Sequence, residues 1–302
     1  MSVRPVSVVV VSYNTSDKLR QCLACIDPIH EIIVVDNAST DSSCQMVQVE
    51  FPNVILIKND SNKGFGAANN QGMDRASHDL ILLLNSDAYA GPGSIEILST
   101  AMDDQSVVAC GGRLLNLDGS LQQSSCNDLT LWAVFCEQTW LEKIFPRSSF
   151  FSPYWNSWRL NRATPVAQVM GACLMMRSKL RFDERFFLYC EDTELCFRLN
   201  REGKILYVPE ASFTHELGSS SAVRWEAVAR YNRGKELFFE IHFAKTYSIV
   251  CLLLDRLGAL VRILAWLLTN LIFVGTRPAY LARAQLFWRV LTAPWSGPPR
   301  PS

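Results

Sequence analysis

The sequence predicts an α/β fold in which short strands and helices alternate around a largely parallel sheet of the nucleotide-binding type. Three observations carry that reading. Between residue 6 and about residue 110, runs of β-branched and leucine residues alternate with amphipathic stretches, the sequence form of consecutive βα units. Each apolar run ends in polar or glycine residues, as strands do where they open onto a ligand. The 302 residues are 49% hydrophobic and carry 29 basic against 29 acidic side chains, enough apolar surface for one large core or two smaller ones. That balance weighs against a nucleic-acid protein, which shows a net basic face to phosphates, and against disorder.

Taken in order, strands are expected at residues 6–11, 32–35, 54–58 and 80–84, with helices after Thr15, after Thr40 and Asp41, and after Gly66. The first apolar run is too short for the core of a signal peptide and has no small-residue cleavage site, so a cytoplasmic chain is expected. Asp118-Gly119 marks a hairpin turn. An aromatic-rich stretch from Trp132 to Trp158 follows and reads as packing within a helical subdomain, the alternative being a lid over an acceptor or a membrane. Strand character returns at 166–169 and 172–176, a helix should run from Glu191 toward Arg201 with Gly203 closing it, and a short strand covers 205–208. The ten cysteines are scattered and are expected to be reduced and buried, Cys22 and Cys25 sharing one face of the first helix.

The residues after the first four apolar runs form a set: Tyr13 and Asn14; Asp36 and the loop to Asp41; Asn62, Lys63 and Gly64; Asn85, Ser86 and Asp87. Singly, each is a turn with local side-chain capping. Four of them on one sheet edge point to a nucleotide cleft. Asp87 suits Mg²⁺ or Mn²⁺, hard cations that take oxygen ligands and leave positions for diphosphate oxygens. Glu191, Asp192 and Glu194 open a helix, where acids are favoured by the N-terminal dipole; a general base is the other reading of the same residues. His215 is either a hydrogen-bonded structural residue or a further ligand to a cation.

These residues resemble the family 2 inverting glycosyltransferases, and most closely their bacterial rhamnosyltransferase-like branch. The likeness rests on Val-Val-Val-Ser-Tyr-Asn (9–14), Val-Val-Asp-Asn-Ala-Ser-Thr-Asp (34–41), Asn-Lys-Gly-Phe-Gly-Ala-Ala-Asn-Asn-Gln-Gly (62–72) and Leu-Leu-Leu-Asn-Ser-Asp-Ala (82–88). It extends through 113–122, 170–177 and 182–198, covering about residues 5–240. The resemblance implies an A-type glycosyltransferase fold, a Rossmann-like mixed central sheet with flanking helices, as a catalytic domain over 1–240. Residues 1–112 would form its nucleotide-sugar half and 113–240 its acceptor half. It implies that Asp36 contacts the nucleobase and that Asp87 is the remaining acid of the D-x-D element, sharing the metal with His215. Gly171 and Ala172 would border the donor sugar, Asp192 would be the catalytic base, and Glu191 and Glu194 would orient base or acceptor. Two departures stand out: Asn85 replaces the first acid of D-x-D, and the segment between Arg177 and Phe182 is shorter than usual.

The activity implied is inverting transfer of a sugar, L-rhamnose from its nucleotide-diphosphate donor in this branch, onto a saccharide or lipid-linked saccharide for surface polysaccharide. A non-catalytic sugar-nucleotide-binding or scaffold subunit is the alternative. A dinucleotide-dependent reductase fares badly, because no G-x-G-x-x-G follows the first strand. The remaining segment, 241–302, is expected to be an apolar helical tail. Over 247–274 it is far more apolar than the rest, yet Asp255, Arg256 and Arg262 interrupt it, so a helix lying on the inner face of the cell membrane is expected in place of a spanning one. Trp266, Trp288 and Trp295 with Arg277, Arg283 and Arg289 would form its interfacial belt. The competing expectation packs these helices on the catalytic domain or on a partner subunit in a homo-oligomer.

Overall fold

The computed structural model describes residues 4–177, 179–216, 224–272 and 277–294. The N-terminal half alternates as expected: β1 (Ser7–Ser12), α1 (Ser16–Ala24), β2 (Glu31–Asp36), α2 (Ser43–Glu50), β3 (Ile55–Lys58), α3 (Phe65–Arg75) and β4 (Ile81–Asn85). There follow β5 (Ala88–Ala90), α4 (Ser94–Ala101), β6 (Val107–Leu115), β7 (Leu121–Gln122), β8 (Ser125–Cys126), α5 (Leu131–Gln138) and α6 (Leu141–Ile144). The chain continues through β9 (Thr164–Val166), β10 (Gln168–Val169), β11 (Cys173–Met176), α7 (Glu191–Leu199) and β12 (Lys204–His215). Three helices end it: α8 (Arg224–His242), α9 (Lys245–Ile272) and α10 (Arg277–Thr292).

The main sheet runs β3-β2-β1-β4-β11-β6-β12-β5, with β7 on β6 and β9 on β12. Strands β3, β2, β1 and β4 are parallel, β11 is antiparallel to β4 and β6, and β12 is parallel to β6, so the sheet is mixed. Its central strands are buried on both faces, which is why they read as unbroken apolar runs. Alternate side chains serve opposite layers: Val8 and Val10 pack with Leu19 of α1 and Leu98 of α4, while Val9 packs with Ala68 of α3 and Leu195 of α7. Gly72 lets α3 lie flat on the sheet, since a Cβ there would stand 2.3 Å from Val9 Cγ1.

A third cluster joins α5, α8 and α9 through Val134, Phe238, Phe239 and Cys251, and reaches Tyr154 and Cys190. Beside it the buried Lys235 ammonium lies 2.8 Å from Asp255 and 3.0 Å from Glu137, tying α8 to α9 and α5. Removing one partner of such a triad would leave buried charge uncompensated.

Several expectations shift. The run at 166–169 is two strands in different sheets, β9 against β12 and β10 against β8. The strand expected at 205–208 continues to His215 through an irregularity between Val208 and Ser212. Gly203 is not a left-handed cap; its place is dictated by close approach, a Cβ there meeting Val108 Cγ1 at 2.6 Å. All ten cysteines are free and eight are buried as expected; Cys44 is half-buried, and Cys25, one residue past the end of α1, is exposed. The aromatic stretch is packed only in part: Tyr154 is buried, whereas Trp132, Phe145 and Phe150 lie against neighbouring rings yet stay exposed.

Candidate active site

The sheet topology gathers the candidate residues at one edge. Ser12 pairs with Asp36 and Val11 with Asn85, so β1, β2 and β4 end side by side. Because β11 runs the other way and pairs Cys173 with Leu84, it starts where β4 stops, and Gly171 and Ala172 fall beside Asn85. The Asn85 amide donates to the Ala172 carbonyl at 3.1 Å. At the far side β12 ends at His215, paired with Ala88 directly after Asp87.

At the nucleotide end, Asp36 is buried; its Oδ1 accepts from the Ser39 amide at 2.9 Å, and its Oδ2 has no hydrogen-bond partner among the described residues. Tyr13, directly after the Ser12 that pairs with Asp36, is half-buried, and Asn14 takes a left-handed φ of 55°. The Asn14 side chain is spent on structure: Oδ1 accepts from the Thr40 amide at 2.7 Å, stapling the loop after β1 to the loop after β2. Asn62 Oδ1 likewise accepts from Asn37 and from the Gly64 amide. The Lys63 ammonium is turned to Asp60 at 2.7 Å. Gly64, at φ 91° and ψ 169°, sits in a region open essentially only to glycine, and its Cα approaches Phe187 so closely that a Cβ would stand 2.6 Å from the carbonyl oxygen. Ser86 is buried and accepts from Thr15 at 2.9 Å.

Asp87 and His215 come together, with Asp87 Oδ1 and His215 Nε2 3.3 Å apart. The backbone holds them in register, since the Glu216 amide donates to the Asp87 carbonyl at 3.0 Å. Asn85 Nδ2 reaches His215 Nε2 at 3.3 Å, and Asn85 Oδ1 is buried without a partner. Sequence reading missed Gln122. Its Nε2 donates to the His215 carbonyl and to Asn116, which fixes Oε1 toward His215 Nδ1 at 2.7 Å. Nδ1 is thereby held as the donor nitrogen, which leaves Nε2 as the one that faces Asp87. A histidine whose second nitrogen is held this way is the usual form of an imidazole ligand.

The donor set suits a divalent cation: one carboxylate, one oriented imidazole and an unpartnered amide oxygen. Among the described residues no three His, Cys, Asp or Glu side chains cluster for metal binding, so two such ligands and Asn85 would be completed by donor oxygens.

The acidic segment is pinned from two sides. Asn70 of α3 brackets Phe182, accepting from its amide at 2.8 Å and donating to its carbonyl at 3.0 Å, so the short segment after Arg177 is anchored before the acids begin. The Phe65 amide donates to the Phe187 carbonyl. Tyr189 and Cys190 then take left-handed φ values of 74° and 64°, a strained pair directly before Glu191. Asp192 is half-buried. Its Oδ2 accepts from the Gly171 amide at 3.0 Å and its Oδ1 from the Thr193 amide at 2.8 Å. Burial pushes its carboxyl up, against those two amides. Glu191 is buried with Oε2 unpartnered, and burial together with the neighbouring Asp192 charge pushes it up to about 8. Glu194 does not face the site: its carboxylate binds Arg198 at 2.6 Å and His242 at 3.0 Å, locking α7 to α8. Gly171 and Ala172 thus stand between Asp192 on one side and Asn85, with the Asp87–His215 pair, on the other.

In the C-terminal helices, Asp255, Arg256 and Arg262 all turn inward: Asp255 to Lys235, Arg256 to the Val290 and Ala293 carbonyls at 2.7 Å, and Arg262 to the Gln138 carbonyl at 2.9 Å. No described helix is long and apolar enough to cross a membrane. Trp266 stacks on Tyr280 at 5.8 Å, Trp288 is exposed, and Trp295 and the Arg277 side chain lie outside the described residues.

Comparison with known proteins agrees with this architecture. An N-acetylglucosaminyl-diphospho-decaprenol L-rhamnosyltransferase of Mycobacterium tuberculosis is 29% identical over 236 residues, covering 71% of this chain and 76% of that one. The mannosyltransferase PcManGT of Pyrobaculum calidifontis, solved with GDP-Man and Mn²⁺, superposes with a TM-score of 0.55 at 14% identity over 96% of this chain and 87% of its own. The S. aureus TarS structure gives 0.51 at 14% identity over 84% of this chain, which spans only 42% of TarS. At such identities the structural likeness speaks for the fold, a mixed sheet of the A-type glycosyltransferase kind. The model of glycosyl transferase family 2 matches residues 7–159, half of the chain, and the protein belongs to that family.

Proposed function

We propose that this glycosyltransferase is metal-dependent and inverts the anomeric centre, moving a sugar, L-rhamnose being the first candidate, from a nucleotide-diphosphate donor to a saccharide acceptor, free or lipid-linked. The observation that carries this reading is the placement of Gly171 and Ala172 between a carboxylate and a carboxylate–imidazole pair. Asp36, with an unpartnered buried oxygen, is suited to accept an N–H from the base, and the loops carrying Tyr13 and Gly64 border the nucleoside. Asp87, His215 and Asn85 would hold Mg²⁺ or Mn²⁺, which supplies positive charge against the diphosphate as it leaves.

Asp192 Oδ2 takes the proton of the acceptor hydroxyl as that oxygen attacks the anomeric carbon. The two backbone amides on Asp192 fix its direction, while its raised affinity for protons brings it nearer the ideal for a base at neutral pH. Glu191 stays protonated behind it and adds no second negative charge. One displacement from the face opposite the leaving group inverts configuration, with no covalent sugar intermediate. The lipid-linked form of the acceptor places the enzyme in the cytoplasm at the inner membrane face. The relative named as an N-acetylglucosaminyl-diphospho-decaprenol L-rhamnosyltransferase supports a lipid-linked acceptor.

Asp192→Asn tests the reading. With nucleoside diphosphate release as the assay, turnover falls by about 10²–10⁴ while donor affinity stays within a few-fold of wild type. Undiminished release in that variant removes Asp192 as the base. A wild-type chain that binds sugar nucleotides but releases nothing with any acceptor favours the scaffold alternative.

A further inference from the structure

The outer face of α9 has a composition that catalysis does not explain. Every exposed residue from Ile249 to Ile272 is Val, Ile or Leu. The leucines at 253, 257, 260, 264, 267 and 271 step by four and three in turn, a stripe along one side of the helix. Ten aliphatic side chains at 40–71% exposure leave roughly 800 Å² of apolar surface in water, above the roughly 300–600 Å² of a typical monomer's largest patch. The three charges of this segment are withdrawn from that face by Lys235, by the end of α10 and by α5.

Charge separates what could cover it. Residues 245–294 hold six basic side chains and one acidic, although the whole chain is balanced. Among the described residues the exposed charges of α9 and α10 are all basic: Lys245, Arg283 and Arg289. A second copy of the chain would set basic side chains against basic side chains. An anionic lipid surface offers both an apolar interior and negative headgroups. A cleft of about 420 Å³ between α8, α9 and α10, lined by Arg262, Phe287 and Tyr231, reaches Tyr189, three residues before Asp192.

We infer that the leucine stripe of α9, with Leu281 and Trp288 of α10, is a docking surface for anionic bilayer. Arg283 and Arg289 meet the headgroups, and the cleft beside Tyr189 opens at the lipid plane. This rests on the reading of a lipid-held acceptor, but its test needs neither donor nor metal. Full-length protein is sedimented with vesicles of phosphatidylcholine alone and of phosphatidylcholine with one third phosphatidylglycerol. Wild type pellets with the anionic vesicles, and Arg283→Gln with Arg289→Gln lowers partitioning by roughly fivefold per charge removed. Leu257→Ser with Leu260→Ser and Leu264→Ser lowers it at least tenfold at an unchanged thermal midpoint and unchanged nucleoside diphosphate affinity. Equal pelleting of the serine variant and wild type overturns the proposal. So does a wild type that ignores vesicles but forms a dimer which the serine variant abolishes, since a second copy then covers the stripe. Vesicle binding that survives alongside absent turnover refutes the transfer reading and leaves the docking surface standing.

Discussion

Replacing Gln122 with leucine removes the side chain that orients His215. The substitution deletes the 2.7 Å contact to Nδ1 and the donations to the His215 carbonyl and Asn116, leaving a buried imidazole N–H and a buried carbonyl short of partners. Each unsatisfied group costs about 1–3 kcal/mol, so the two together lower stability by about 2–6 kcal/mol. The thermal midpoint then falls by roughly 4–24 °C for a domain of this size. Freed from Gln122, the ring can rotate or change tautomer, and loss of such a support weakens a metal site by about 10–100-fold, or about 1.4–2.7 kcal/mol. Manganese titrations followed by the electron paramagnetic resonance of the free ion, in the presence of nucleoside diphosphate and well below the midpoint, measure this directly. Gln122→Glu keeps the acceptor for Nδ1 and should recover most of the affinity. A leucine variant that is less stable yet binds manganese as tightly as wild type would show that Gln122 only supports the fold.

Two further outcomes follow from the geometry around the acids. Because Glu191 is held near 8 against an ordinary 4.5, the folded state keeps its proton longer than the unfolded chain, and stability declines as pH rises from about 4.5 through about 8. Glu191→Gln flattens that slope and melts above wild type at pH 8; parallel midpoint curves from pH 5 to 9 would show that Glu191 ionises normally. Gly64→Ala places a methyl 2.6 Å from the Phe187 carbonyl at a backbone angle that alanine avoids, costing about 2–5 kcal/mol and loosening the acidic segment, so donor affinity and turnover fall together. Wild-type stability in the alanine chain would mean that the two loops are not in contact.

How much of this was legible beforehand depended on the range of the interaction. Strands β1 to β4 announced themselves through residues such as Val8–Val10 and Leu82–Leu84, buried on both faces, and their polar ends fell where the parallel sheet required. His215 was harder to place, because Pro209 and Glu210 interrupt the apolar pattern and hide the continuation of β12 through its irregularity. Gln122 gave no periodic signal. The one clue was the Asp118-Gly119 turn, whose pairing sets Gln122 opposite Leu114, itself opposite Phe213 and so on the face of His215. Glu194 looked like its acidic neighbours, and only the packing of α8 brings His242 to it. In the tail, Asp255, Arg256 and Arg262 counted against an apolar segment in sequence, whereas tertiary partners on α8, α10 and α5 turn all three away from the exposed face.

The claim on which the account turns is that a cation anchor and a base flank Gly171 and Ala172 at one sheet edge. Anomalous scattering from crystals grown with Mn²⁺ and an unreactive sugar-nucleotide analogue tests it most directly. The account predicts a manganese peak ligated by Asp87 Oδ1 and His215 Nε2, with the donor sugar against Gly171 and its anomeric carbon open to Asp192. A peak away from that pair, or a sugar that turns its anomeric carbon away from Asp192, contradicts it.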